Sequence, residues 1–559
     1  MKRYTNRIRD EPEREVKEKK SLKRRWIIMK QKGKKNFFKA STEQLERLKN
    51  VQGYDWMRAA EQKEGVTVSA VYDVSDNRKP NTGLKLYTVE KANAVVFTNN
   101  EQGSRSCFLH QNIAALGRST SKPNLFVFDS TRELYGMHAE TLKAQGYKVS
   151  LLDFSEPHNS DKWNPFAGLI WRVKQIRELE NELENRDGKY YANGEEFYTY
   201  KKARERLAWH WITLYKDISD LADGLVNGYP FCNEPESAKI FAAFLCAMCE
   251  DCVASKLCTS QLLLTNVFRN IEKYCSTDYR KLEEYIMDKR NKNSQARKIM
   301  NTVFSGKDKE AYLKLIDLVY KTISKSFDEN LEILTSESTI DLFTEEDEPK
   351  AIFVVSTKVE DCRNHFIRFF FKQASTSESM IKDVVSCRMD YKAPEKVRSS
   401  YFIVNNYSGL VNIPYEIADF AGEANPHKLI LISQSYEQLI KLYGESFGDW
   451  IKSEGVIKMF LSADDIKSKK EYYELCCVKE GTEEKSEPTK AEIEIFDRVK
   501  GVGNAVVAIG ENPPCPTHYE NAYNLFGLYC PEGGIKTIEK EKRSLDAPVL
   551  FDIGNVQKE

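Results

Sequence analysis

The chain has 559 residues, too many for one ordinary domain, and its 41% hydrophobic and 30% charged content fits a soluble globular protein. Its 84 Lys+Arg are balanced by 84 Asp+Glu, so net charge points to no anionic partner. No apolar run approaches the roughly 18 residues that cross a bilayer, and no apolar stretch of signal-peptide type follows the basic start. Thirteen cysteines, an odd number scattered along the chain, suit a reducing cytoplasm better than a disulfide framework.

Charge is nonetheless unevenly placed. Residues 1–39 hold 16 Lys/Arg against 5 Asp/Glu, a local excess of +11, so the remainder carries −11. This segment lacks helical or strand periodicity apart from Trp26–Met29 and is expected to be disordered. It reads as a solvated tail, as a contact for anionic lipid at about 1 kcal/mol per nearby Lys/Arg, or as a non-specific contact for DNA phosphates. Residues 40–89 form a lead-in, with "GVTVSAVYDV" strand-like and "NRKPNTG" a loop.

A strand–helix alternation follows. "NAVVFT" (Asn93–Thr98) predicts a strand, "NNEQGSR" a turn, and "SCFLHQNIAALG" a helix ending at Gly117. "NLFVFDS" predicts a second strand, "RELYGMHAETLKAQG" a helix closed by Gly146, and "YKVSLLDF" a third strand. Such alternation predicts a parallel sheet covered by helices.

After Asn164-Pro165-Phe166 the pattern becomes helical through 167–328, in "KQIRELENELEN", "YKKARERLAWHWITLYKDISDLADGL", "KIFAAFLCAMC" and "KEAYLKLIDLVYKTISKSF". Within it, Cys246, Cys249, Cys252 and Cys258 have three-residue steps reminiscent of iron–sulfur ligands. A small apolar helix face carrying buried cysteines is the preferred reading. Strands resume with Lys350–Thr357, "YFIVNN", Lys428–Gln434, "VIKMFLS" and Asn504–Gly510. The expected architecture is an α/β domain at 90–166 and 329–545, interrupted by an all-helical domain at 167–328 and followed by a tail at 546–559.

The order of these pieces resembles the coupling-protein ATPases of type IV secretion, the TraG/TraD type that drive conjugative DNA transfer. The likeness runs from about residue 90 to 540. It rests on "LFVFDSTRELYGMHAETLKAQGYKVSLLDFSEPHNSDKWNPF", on "TISKSFDENLEILTSESTIDLF" with "KAIFVVSTKVEDCRN", on "KLILISQSYEQLIKLYG" and on "GNAVVAIGENPPCPTHYENAYN". The resemblance implies a RecA-like P-loop NTPase fold with an inserted helical domain that reads cargo, and makes Gln434 a sensor-type glutamine.

Three catalytic elements depart from the family pattern. The phosphate loop G-x-x-x-x-G-K-[ST] uses backbone N–H groups and a lysine to hold phosphates and a hydroxyl to hold Mg²⁺. Here "TNNEQGSR" takes its place: Gly103 remains, Ser104 stands at the lysine position, Arg105 at the Ser/Thr position, and Glu101 adds an anion. A one-residue shift would set Arg105-Ser106 in place of Lys-Ser, but arginine's planar head does not fit a site shaped for an ammonium. At the third conserved segment "VNNYSGLVNIP" puts Asn405 and Asn406 on the two Mg²⁺-binding acids. The family also implies an arginine finger between this strand and the glutamine strand, yet no arginine occurs between Arg398 and Arg498. Loss of an arginine finger alone costs roughly 10³–10⁵ in rate. Asp129 and Glu133 in "DSTRE" match family acids, in a catalytic or merely structural role.

Taken singly, Asn405-Asn406 reads better as a polar strand end and "NNEQGSR" as an ordinary surface turn. Together, in one frame, they imply a pseudo-ATPase with ATP and Mg²⁺ binding lost. The expected function is a non-catalytic coupling-protein-like adaptor. Its partners would be an active coupling ATPase or relaxosome and secretion components, in a hetero-oligomer in the cytoplasm or at the inner membrane face. The alternatives are a divergent but active DNA-translocating ATPase using Arg105 and Gln434, and a scaffold unrelated to transfer.

Overall fold

The computed structural model describes residues 45, 51–55, 63–72, 84–98, 102–130, 132–186, 194–226, 235–276, 279–288, 290–306, 308–324, 327–343, 348–356, 361–386, 398–405, 425–462, 466–476, 493–499, 502–510 and 512–520. In chain order, the first elements are β1 (Val51–Asp55), β2 (Gly65–Tyr72), β3 (Leu84–Glu90), β4 (Asn93–Phe97), α1 (Gln102–Arg118), β5 (Asn124–Asp129), α2 (Glu133–Ala144) and β6 (Lys148–Asp153). Helices follow: α3 (Ala167–Arg186), α4 (Gly194–Val226), α5 (Pro235–Val253), α6 (Leu264–Ser276), α7 (Tyr279–Glu283), α8 (Gln295–Phe304), α9 (Lys309–Ser324) and α10 (Glu329–Thr335). Then come β7 (Lys350–Val355), α11 (Asp361–Ser386), β8 (Ser400–Asn405), β9 (His427–Ser433), α12 (Tyr436–Tyr443), α13 (Glu445–Lys452), β10 (Val456–Phe460), α14 (Ile466–Cys476), β11 (Asn504–Ala508) and β12 (Cys515–His518). The basic segment 1–39 and the tail 546–559 lie outside the described residues.

The chain packs as two units, residues 1–123 with 421–534 and residues 124–420 with 535–559. In the first, β4 is flanked by β9 and β10, both parallel to it, and β11 and β12 continue antiparallel from β10. All five residues of β4, "NAVVF", are buried, the continuous apolar pattern of a parallel strand covered on both faces. The side-chain oxygen of its first residue, Asn93, accepts from Leu429 N at 2.8 Å and so fixes the register against β9. Beside this sheet β1, β3 and β2 form an antiparallel sheet of three. Asn112 of α1 holds β2 by both ends of its amide: Thr67 N donates to Oδ1 at 2.8 Å, and Nδ2 donates to Thr67 O at 3.2 Å.

The second unit holds four parallel strands in the order β8–β5–β7–β6. Asn124 opens β5 as Asn93 opens β4, with its Oδ1 accepting from Lys350 N at 2.9 Å. The Asn-Pro-Phe turn after β6 joins strands to helices: Asn164 Nδ2 donates to Leu262 O at 2.8 Å, and Phe166 N donates to Asn164 Oδ1 at 3.0 Å. Of the helices, α5 is the most enclosed, with Phe241 and the run from Ala243 to Cys249 without solvent exposure. The mostly parallel sheet covered by helices is the α/β class expected of a RecA-like domain. Among the described residues no helix is long and apolar enough to cross a membrane.

Three details differ from the sequence reading. Helix α1 begins at Gln102, so four of the seven residues of the expected turn "NNEQGSR" are helix. Strands β1, β3 and β12 are present where only β2 and the strand now labelled β11 were expected. The helical stretch also contains α6, α7 and α8, which the quoted periodic segments did not cover.

Candidate functional site

At the C-terminal end of β4, Thr98 N donates to Ser433 O of β9 at 3.1 Å, and Leu461 N donates to Phe97 O at 2.8 Å. Thr98, Ser433 and Ser462 are buried there. Residues 99–101, including Glu101, lie outside the described residues, and α1 starts at Gln102. Gly103, Ser104 and Arg105 therefore occupy its first turn, with no acidic residue beside them. A helix start directs unpaired N–H groups and a positive partial charge outward, suited to an anion. What the turn lacks is a lysine. Arg105 is half-buried, and from Ser106 onward the helix sinks into the core.

Gln434 leaves the neighbouring strand β9 at the same end, and its side chain is exposed. Its backbone is tightly held. Ser435 caps α12, accepting from Gln438 N at 3.1 Å, while Gln438 reaches back so that its Oε1 accepts from Gln434 N at 3.1 Å and Ser433 Oγ at 2.8 Å. This reciprocal Ser-x-x-Gln cap sets where Gln434 emerges. The described start of α1, with Gly103, Ser104 and Arg105, and Gln434 thus follow adjacent parallel strands, β4 and β9.

In the second unit, Asn405 closes β8 and is 3% exposed, and its Oδ1 makes no hydrogen bond. An amide there keeps the shape of an acid without its charge. Asn406 lies outside the described residues. On β5, Asp129 is fully buried and accepts from Tyr135 N at 3.1 Å, which caps the first turn of α2 from outside. Glu133 sits in that first turn, where the helix dipole favours an anion. Sequence reading missed Asp153, buried at the end of β6. Its Oδ1 accepts from Ser155 N at 2.9 Å and Glu156 N at 3.0 Å, and its Oδ2 lies 3.4 Å from Arg132 Nε. That last approach is an ion pair without hydrogen-bond geometry. Arg132 also pairs with Glu156 and adopts a left-handed backbone, φ 65°. Both β5 and β6 thus end in carboxylates engaged in local turns.

The cysteines do not converge. Cys246, Cys249 and Cys252 are buried on α5, and burial pushes the Cys252 thiol up to about 12 and holds the other two well above their ordinary value. Cys258 is exposed and takes a hydrogen bond from Ser260 Oγ at 3.0 Å. Among the described residues no three His, Cys, Asp or Glu side chains are grouped to hold a metal ion.

Residues 119–472 match the family model described as Type IV secretory system Conjugative DNA transfer. No curated protein matches the sequence significantly. Among solved structures, the bacterial conjugative coupling protein TrwBdeltaN70 in its unbound monoclinic form shares 12% identity at a TM-score of 0.45, over 76% of this chain and 84% of that one. The trigonal form with sulphate shares 12% at 0.48, over 76% and 85%. The plasmid coupling protein TrwB with ADP and Mg²⁺ shares 11% at 0.46, over 77% and 85%. With more than half its length matched by the family model, the chain belongs to the conjugative DNA transfer proteins of type IV secretory systems.

Proposed function

We propose that this protein is a coupling-protein component of conjugative transfer that binds partners or substrate without hydrolysing ATP. The observation that carries this reading is the replacement of charge at both ends of the nucleotide chemistry. The first turn of α1 offers Ser104 and Arg105 where the family pattern has lysine and a hydroxyl, and β8 ends in Asn405 where it has an acid. A neutral amide neither balances Mg²⁺ nor accepts a proton from water. The retained strands, the capped Gln434 turn and the helical region favour binding surfaces kept without their chemistry. The partners that fit are an active coupling ATPase or relaxosome components in a mixed assembly on the cytoplasmic side.

One observation favours a second reading, a divergent motor: Arg105 is a cation in the first turn of α1, at its positively polarised start. The experiment that separates the readings is conjugation from a donor carrying the deletion, complemented with wild type or with Arg105→Ala. Complementation by both supports the adaptor. Complementation by wild type alone supports the motor, and normal transfer by the deletion strain removes both.

A further inference from the structure

Helices α3 and α4 of the second unit carry charge on facing positions where a helix pair usually carries apolar side chains. On α4, Arg206, His210 and Asp217 recur at steps of four and seven, along one face. Arg172 of α3 meets this face and donates from Nε to Asp217 Oδ2 at 2.7 Å, its side chain only 1% exposed. The guanidinium carbon stands 5.4 Å from the Trp209 ring and 6.0 Å from the Trp171 ring. Aromatic groups therefore cover its faces and leave the edges for hydrogen bonding.

Those edges are incompletely filled. Arg172 Nη1, Arg206 Nε and both ring nitrogens of His210 are buried and make no hydrogen bond. His210 is wholly buried, and its pKa is pushed down to about 4, first by burial and then by Arg172 and Arg206. Asp217, whose own pKa burial raises, pairs with Arg172 alone among the described residues, and Arg206 brings a second guanidinium charge to His210. Buried donors on charged groups are nearly always met, so an acceptor bearing negative charge completes the arrangement. Water supplies an acceptor but not the charge.

We propose that this cluster is a binding site for a small oxyanion, a phosphate or a carboxylate, held by Arg172, Arg206 and His210 between α3 and α4. Neutral His210 donates from one nitrogen, and the two arginines donate from Nη1 and Nε. Burial of Arg172 and His210, and of the Nε of half-buried Arg206, leaves no room for a polymer backbone, so the ligand is a free small anion and the site is distinct from any nucleic-acid contact.

The test titrates the intact protein with inorganic phosphate, and in a second series with acetate, against sodium chloride at matched ionic strength. Binding is followed by calorimetry and melting temperature. One oxyanion is expected to bind saturably and raise Tm. Arg206→Met and His210→Phe are each expected to weaken it at least tenfold, while Arg204→Met, on the exposed side of the same helix, leaves it unchanged. Among the described residues Arg206 has no ion-pair partner to orphan, and phenylalanine keeps the ring volume of His210, so at least one variant is expected to fold. Binding by neither anion, or binding unchanged in the folded variants, overturns the proposal.

Discussion

Gln438 Oε1 accepts from the backbone N–H of Gln434 at 3.1 Å, so the residue four positions on fixes the turn that presents Gln434. The same oxygen accepts from Ser433 Oγ. Gln438→Ala removes the oxygen that accepts both hydrogen bonds at the start of α12 and is expected to cost about 1 kcal/mol. Urea denaturation of the two proteins checks this. An unchanged midpoint would show that the cap adds nothing.

Gly503 lies at φ +84°, and a Cβ placed there would sit 2.0 Å from the carbonyl oxygen of Tyr519. That carbonyl belongs to the residue whose N–H donates to Gly503 O at 2.7 Å, closing the β11–β12 hairpin. The clash is with backbone and cannot be relieved by a rotamer change. Gly503→Ala is expected to destabilise by roughly 2–3 kcal/mol, read as a lower melting temperature. Gly444, also at positive φ but with nothing within 4 Å, should tolerate alanine better.

Acid should weaken the second unit through its buried histidines. His365 of α11 and His210 are each pushed down to about 4, in both cases first by burial and then by neighbouring arginines, Arg368 for His365 and Arg172 with Arg206 for His210. With the folded pKa below the unfolded value near 6.5, the unfolded chain binds the proton first. Stability is full above about 6.5 and declines as pH falls toward 4. Replacing His365 by glutamine should flatten this slope between those limits. Melting temperatures of wild type and His365→Gln across the window test it; parallel curves would contradict it.

Much of the α/β portion was legible because parallel strands are continuous apolar runs: β4, β5, β7, β8 and β9 each begin or end within two residues of their expected limits. The hairpin strand β12 was not, since Pro513, Pro514 and Pro516 argue against a strand until an edge position removes the need for their N–H groups. The start of α1 was read as a turn because Asn, Gly and Ser are turn formers, although the same residues also suit a helix N-terminus. Of the candidate site, Ser104, Arg105 and Asn405 stood out in the sequence as proposed departures from the family motif. Asp153 was not, because its role depends on the turn after β6 and on Arg132, neither of which has a sequence period. The buried pairing of Arg172 with the α4 stripe was equally invisible: burial of a charge is decided by which helices meet.

The central claim is that nucleotide binding has been lost with the phosphate-loop lysine and the Mg²⁺ carboxylates. A ligand at 100 times its Kd stabilises a fold by about 2.7 kcal/mol, an effect large enough to read in a melting curve. The direct measurement is calorimetric and thermal titration of the intact protein with millimolar Mg²⁺-ATP. The expected result is no heat of binding and no shift in melting temperature. Saturable binding that raises the melting temperature and disappears in Arg105→Ala would contradict the account and make the chain a working, divergent ATPase.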